Sequence, residues 1–178
     1  MSGVRRVITG VSGSPGSLRA LRYAAEVAQV RGALLIPVLA WVPPGGDLAD
    51  RRCPSTYLRE TWRAAAVERL TETIDLAFGG APDDIVMRTA VLRGEPRLVL
   101  VTAACEPGDL IVVGAGRRGP VERMIGGRVA RYCVAHASCP VIAVPPAELE
   151  QASRGLRGWA LRHRTVAPED ILHAAGSR

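Results

Sequence analysis

The 178-residue chain contains no lysine and no asparagine, and its aromatic residues are only three Trp, three Tyr and one Phe. Without a lysine, the chain lacks the side chain that reaches the β- and γ-phosphates in a Walker-type loop. Few aromatic side chains leave little base stacking, and Tyr132 alone lies within the most basic segment. A nucleic-acid-binding protein is therefore disfavoured, although the pI is near 9.9.

Long apolar runs and paired cysteines are also missing. No run approaches the ~20 residues of a membrane span, and no leader-like segment precedes the first strand-like run. We therefore expect a soluble, cytoplasmic protein with no membrane partner. Its four cysteines, none in CxxC spacing or beside a pair of His ligands, predict buried free thiols and no metal site: Cys53, Cys105, Cys133 and Cys139. All 23 basic residues are arginine, which with abundant Ala, Gly and Pro indicates a GC-rich bacterial genome.

Short apolar runs alternate with helical periodicities along the chain. Strands are predicted at Val4–Val11, Ala33–Val42, Ile85–Val91, Leu110–Val113 and Val141–Val144. Helices are predicted up to a glycine cap at Gly32, from Ser55 to Phe78, after Pro96, and up to His136. Strands that alternate with helices predict an α/β fold with a five-stranded parallel sheet covered on both faces.

Some local features refine this outline. Pro37 should leave the second strand partly unpaired, because proline cannot donate to a ladder. The segment Pro43–Pro54 is interpreted as a flexible loop. The long helix should bury a stripe of five residues: Leu58, Trp62, Ala66, Leu70 and Ile74. Composition changes after Pro146, so we expect a domain over 1–146 and a C-terminal helical extension over 147–178, which either lies on the domain or is partly disordered, or else makes an oligomer or partner contact.

The most informative segment follows the fourth strand, where glycines and arginines alternate before a helix. Five arginines against the single Glu122 give +4 of the total +6 charge: Arg117, Arg118, Arg123, Arg128 and Arg131. A strand, a glycine loop and a helix N-terminus form a phosphate cradle. In parallel sheets, ligands bind beyond the carboxyl ends of strands where the strand order reverses. The turns after the first and fourth strands should therefore frame a site for a phosphate-bearing small molecule.

Catalytic chemistry is not predicted at this site. The glycine–arginine loop has no pair of carboxylates to hold Mg²⁺, and no Ser/His/Asp or Cys/His spacing indicates a nucleophile. We interpret His136 as a helix-end cap and packing residue. The sequence thus predicts a binding or regulatory protein with no catalytic and no metal-ligating residues, and not an efficient enzyme.

Four segments in order resemble the universal stress protein (UspA-like) family: VITGVSGSPGSLRALRYAAEVA, VLRGEP, DLIVVGAGRRG and GGRVARYCVAHASCPVIAV. The likeness covers Val4 to Pro146. It implies a flavodoxin-like three-layer sandwich of the adenine nucleotide alpha hydrolase-like type, a role in the stress response, and homodimers that pair through Val141–Val144. One branch of the family binds ATP through a G-x2-G-x9-G-S/T pattern after the fourth strand, and the other branch lacks it.

The ATP pattern is only partly present here. Gly114 and Gly127 fit it, whereas Arg117 and Arg128 replace a glycine and a hydroxyl residue, and Ser12 stands where ATP binders have an Asp. The resemblance implies these nucleotide-contacting positions: Gly10, Val11, Ser12, Ala40, Gly114, Gly116, Arg117, Gly127, Arg128 and Val129. Two interpretations stay open: a degenerate loop that binds no ATP, or a site for ATP or another adenine nucleotide in which Arg117 and Arg128 contact phosphate.

Overall fold

A computed structural model describes residues 3–80, 82, 84–116 and 128–145. Along the chain its elements are β1 (Arg6–Gly10), α1 (Pro15–Arg31), β2 (Leu34–Trp41), α2 (Gly46–Arg52), α3 (Thr56–Phe78), β3 (Ala90–Arg93), α4 (Pro96–Ala103), β4 (Asp109–Gly114), α5 (Arg128–His136) and β5 (Val141–Val144). The predicted extension over 147–178 lies outside the described residues. No helix within them is both long and apolar enough to cross a bilayer.

The five strands form one parallel sheet in the order β3-β2-β1-β4-β5. Side chains alternate between its two faces, because successive residues of a strand point in opposite directions. Val7 and Leu35 join the apolar cluster that α1 and α3 cover, whereas Ile8 and Ile111 join the cluster that α4 and α5 cover. The result is the predicted three-layer, flavodoxin-like α/β sandwich.

The two long helices begin and end where their capping residues predict. Ser14 caps α1 at its start, and Gly32 ends α1 in the left-handed region at φ +59°. Ser55 and Gly79 do the same for α3. The buried stripe of α3 is correct at Ala66, Leu70 and Ile74, with Trp62 half-buried. It is wrong at Leu58, which is 42% exposed because the first turns of α3 bury no side chain.

The third strand is shorter and later than predicted, and Pro37 explains why. β3 pairs with β2 only from Val38–Ala90 onward, so the predicted strand Ile85–Val91 contributes its last two residues to β3 and, before them, one isolated bridge, Leu35–Met87. The backbone groups of Leu35 bond towards the β3 side, so the nitrogen of Pro37 faces the same way and has no hydrogen to donate. The ladder is therefore interrupted between the bridge and β3, as the proline predicts.

The predicted flexible loop over Pro43–Pro54 is wrong in its middle, where the chain forms α2. A search for apolar periodicity overlooks this helix because its one buried residue is an aspartate, Asp50, while Leu48 is 72% exposed. The predicted first strand, Val4–Val11, is also trimmed at both ends, although the backbone N–H of Val11 still bonds the oxygen of Val38 at 2.8 Å.

Candidate functional site

The turn between β1 and α1 is held by its own serines. The Oγ of Ser14 accepts from the N–H of Ser17 at 3.3 Å, and the Oγ of Ser17 donates to the oxygen of Ser14 at 2.9 Å. The N–H of Ser12 donates to the Oγ of Ser17 at 3.2 Å. Gly13 has φ +74°, which a side chain would strain. We call Val11–Ser17 the front turn. It presents the exposed Ser12 hydroxyl at the carboxyl end of β1, and none of its seven residues is charged.

The end of β4 lies directly against the front turn. A Cβ on Gly114 would lie 2.7 Å from the backbone oxygen of Gly16 and 3.0 Å from its carbonyl carbon. Both atoms belong to the backbone and cannot turn aside, so glycine is required at position 114. The structure therefore brings together two of the predicted site segments, the one that ends β1 and the one that ends β4, as the strand order demands.

Two further residues are described after Gly114. The N–H of Ala115 bonds the oxygen of Val144 at 2.8 Å, and Gly116 turns with φ +75°. Arg117 and Gly127 lie outside the described residues, so their predicted contacts with a nucleotide stay predictions. Arg128 begins α5 with an exposed side chain, and the half-buried Val129 packs on the α4–α5 cluster.

The remaining predicted positions lie on β1 and β2. Gly10 faces α4, where an added Cβ would meet Cδ1 of Leu100 at 2.8 Å. Val11 is buried on the other face of the sheet. Ala40 is half-buried near the end of β2, and its Cα pairs with that of Leu92. These residues line the same carboxyl edge through backbone groups and small side chains, which supply shape and hydrogen bonds but no titratable group.

The thiols and His136 do not form a nucleophilic site. Two predictions of buried cysteines are wrong, since Cys53 and Cys105 are exposed, whereas Cys133 is buried and Cys139 half-buried. Burial raises the pKa of Cys133 to about 11, so its thiol stays protonated. The His136 ring stacks on Tyr132, with ring centroids 4.0 Å apart. No group of three His, Cys, Asp or Glu residues in the described parts of the chain could hold a metal ion.

Sequence reasoning missed a charge cluster at the same carboxyl edge, on the β2–β3 side. The Asp50 carboxylate accepts from Nε of Arg59 at 2.9 Å and from Nη2 of Arg93 at 2.8 Å. Arg93 also donates to Oδ1 of Asp47 at 2.6 Å, and its guanidinium lies 5.9 Å from the ring centroid of Trp41. We call these residues the α2 charge cluster. The arginines lie nine and 43 positions from Asp50, so no local sequence pattern marks these contacts.

Comparison with known proteins gives consistent results. A model of the universal stress protein family matches residues 3–145. A universal stress protein from Mycolicibacterium smegmatis is 30% identical over 145 residues, which are 79% of this chain and 45% of that protein. One from Thermus aquaticus is 30% identical over 141 residues, which are 79% of this chain and 98% of that protein. The chain thus spans about half of the first relative and nearly all of the second.

A solved structure of a universal stress protein in complex with cAMP is also similar. It superposes with a TM-score of 0.53 at 25% sequence identity, over 82% of this chain and 100% of that one. The family match runs from residue 3, before β1, to residue 145, after β5, and therefore covers all five strands.

Proposed function

Because the chain belongs to the universal stress protein family, we propose that it is a stress-response regulatory protein. It binds an adenine nucleotide with a single phosphate at the carboxyl ends of β1 and β4. It acts by binding and not as an efficient enzyme. The observation that carries the proposal is the contact between Gly114 and Gly16, which joins the two turns that would enclose the ligand.

Topology supports this placement. The strand order β3-β2-β1-β4-β5 means that the chain leaves β1 in one direction for β2 and later returns on its other side as β4. The crevice between β1 and β4 is therefore the switch point at which open parallel sheets bind ligands. The front turn also forms the N-terminus of the 17-residue helix α1, the positive end of the helix dipole.

An adenine nucleotide with a single phosphate fits the residues better than ATP does. The lost pattern positions, Arg117 and Arg128, both belong to the segment that would hold the distal phosphates, whereas Gly10, Ala40 and Gly114 are in place. One phosphate needs fewer loop contacts than three. The structurally similar protein noted above was solved with cAMP, which carries a single phosphate, and this supports the same ligand class here.

Calorimetry on the full chain tests the proposal with AMP, cAMP and ATP. We expect AMP or cAMP to bind more tightly than ATP. Gly114→Ala should weaken binding at least about tenfold, equivalent to roughly 1.4 kcal/mol, because its methyl group pushes the two turns apart. Gly16→Ala is the matched control, since a Cβ there meets no atom within 4 Å. Absence of binding by all three nucleotides at millimolar concentration, in folded protein, would contradict the proposal.

The two arginines provide a second arm of the same experiment. Replacing Arg117 by Gly and Arg128 by Ser restores the family's ATP pattern. ATP affinity should then rise if these arginines obstruct the distal phosphates, and it should fall if they contact them. The two interpretations left open by the sequence are thereby separated.

We further propose that the protein is a homodimer that pairs through β5. This strand lies at the edge of the sheet, and its Ala143 side chain is exposed. The oxygens of Pro140 and Val144 bond towards β4, so Val141 and Ala143 direct their backbone groups away from it. Ala143→Pro should therefore remove a donor to the partner and leave the β4 ladder intact. Light scattering that finds Ala143→Pro as dimeric as Ala143→Val would contradict pairing through β5.

A further inference from the structure

The segment after β2 contains the short helix α2, which has a glycine turn before it and a proline after it. Pro43–Gly46 forms a turn closed by the N–H of Gly46 on the oxygen of Pro43 at 2.8 Å, with Gly45 at φ +81° and Gly46 at φ +79°. Two successive glycines in the left-handed region make this turn conformationally permissive. At its other end α2 stops at Cys53, just before Pro54, where proline cannot continue a helix. This seven-residue helix is thus separated from its neighbours by the glycine turn on one side and by Pro54 on the other.

Charge holds α2 in place, and apolar packing contributes little. Asp50 is the one buried residue of the helix. Its carboxylate is only 3% exposed, yet the arginines that bind it, Arg59 and Arg93, keep 37% and 35% of their side chains exposed. A helix this short has little stability of its own, because most helical stability in proteins comes from packing of an apolar face. Docking of α2 therefore depends on the ion pairs of Asp50.

The Asp50 carboxylate is charged at neutral pH. The hydrogen bond from Arg59 lowers its pKa, burial opposes this, and the hydrogen bond from Arg93 lowers it again, so the pKa lies below its usual range. Neutralisation of the carboxylate therefore requires acid well outside physiological pH. The interaction can instead be weakened by ions that compete for the two exposed guanidinium groups.

The same contacts reach the predicted nucleotide position on β2. Arg93 pairs with Trp41 in the sheet, and its guanidinium lies over the indole ring. The N–H of Gly94 bonds the oxygen of Trp41 at 2.8 Å. Trp41 directly follows Ala40, so the position of Ala40 at the carboxyl edge depends on how the end of β2 is held. The α2 charge cluster holds that end from outside the sheet.

We propose that α2 is a lid over the β2–β3 side of the carboxyl edge, that Asp50 is the latch that closes it, and that closure positions Ala40 for ligand binding. The effect on the ligand rests on the proposed function; the latch itself does not. Asp50 is thus a positioning residue that acts through Arg93 and Trp41, and the front turn and Gly114 form the rigid opposite wall of the site.

Hydrogen exchange tests the latch without any ligand. Asp50→Asn should raise the exchange rates of the hydrogen-bonded amides of residues 50–53 at least about tenfold, while the amides of β1 and β4 keep their protection, since local opening is independent of global unfolding. Asp47→Asn is the matched control: it removes a half-exposed partner of Arg93 and should change the same amides less than about twofold. Equal exchange in the wild type and Asp50→Asn overturns the proposal.

Two further measurements keep the proposal testable. If Asp50→Asn also loses protection in β1, Arg59→Gln removes the other half of the pair, and it should release α2 alone. In the wild type, raising NaCl from about 0.05 to 1 M should speed exchange in α2 modestly and not in β1, because the two arginines are partly exposed and salt screens a partly buried pair less than an exposed one. Unchanged α2 exchange in both experiments overturns the latch.

Titration with cAMP then separates the latch from the proposed function. Asp50→Asn should weaken cAMP binding several-fold relative to Asp47→Asn. If the wild type binds no cAMP while Asp50→Asn still releases α2, the mononucleotide site is wrong and the latch is correct. If cAMP binds equally to both variants although α2 is released, the link from the lid to Ala40 is wrong.

Discussion

Two arginine–carboxylate clusters lie at opposite ends of the same sheet and do different work. At the amino ends of β1 and β4, Arg6 binds both oxygens of Asp109 at 2.7 Å, and Asp109 also accepts the N–H of Glu106 at 2.8 Å. At the carboxyl ends of β2 and β3, Asp50 binds two arginines. The Arg6–Asp109 pair joins two central strands that already pack together in the core. Asp50 instead attaches the short helix α2, which buries no apolar side chain, to the rest of the domain. The same chemistry therefore stabilises the whole fold in one place and a movable element in the other.

Removing the carboxylate at the amino end should have the largest effect on global stability. Asp109 is 3% exposed, and Asp109→Asn leaves the guanidinium of Arg6 without its bidentate partner. We expect a loss of about 2 kcal/mol in the free energy of unfolding, because charge-assisted hydrogen bonds are lost at a buried position although Arg6 keeps Glu106 as a partner. Urea denaturation followed by circular dichroism measures it. Asp50→Asn is the comparison, and a global loss as large as that of Asp109→Asn would contradict the distinction between the two clusters.

Acid should remove the difference in the free energy of unfolding between the wild type and Asp109→Asn. Burial acts to raise the pKa of Asp109, but the hydrogen bonds from Arg6 and from the N–H of Glu106 outweigh it and leave the pKa below its usual range. A carboxylate whose pKa is lowered by folding contributes stability above its unfolded pKa of about 3.9, and that stability is lost as pH falls through the folded pKa. The wild type should therefore lose stability below about pH 4 more steeply than Asp109→Asn. Parallel curves for the two proteins would contradict the assigned role.

The sequence predicts the elements that have local signals and misses the features whose cause lies elsewhere in the chain. Strand β5 matches its predicted bounds, and α3 matches within one residue, because apolar runs and the caps Ser55 and Gly79 are local signals. The start of β3 depends on Pro37 in a neighbouring strand, 53 positions before Ala90, which is a non-local cause. Ion pairs across similar separations, such as Arg6 with Asp109, leave no periodic trace at all.

The candidate site shows the same division. Gly114 was found from its place after the fourth strand, but its steric reason, the backbone of Gly16, appears only in the folded chain. Helix α2 was missed because its buried residue is charged, and a charged residue is normally a sign of exposure. An aspartate is buried there only because two arginines distant in sequence converge on it. Local patterns thus locate the rigid wall of the site and overlook the lid.

Alanine substitutions at two glycines test the same comparison, with a smaller expected effect on stability. Gly32 ends α1 at φ +59°, Gly46 begins α2 at φ +79°, and a Cβ on either would meet no atom within 4 Å. Replacement by alanine therefore costs each the same backbone strain, about 1 kcal/mol. Gly32 lies between α1 and β2, which both pack in the central apolar core, so Gly32→Ala should lower the global free energy of unfolding by that amount. If α2 opens separately, Gly46→Ala should lower its local protection in hydrogen exchange and leave the global midpoint nearly unchanged. Equal global losses for the two variants would mean that α2 opens only when the domain unfolds, and that Asp50 strengthens the fold in the same way as Asp109.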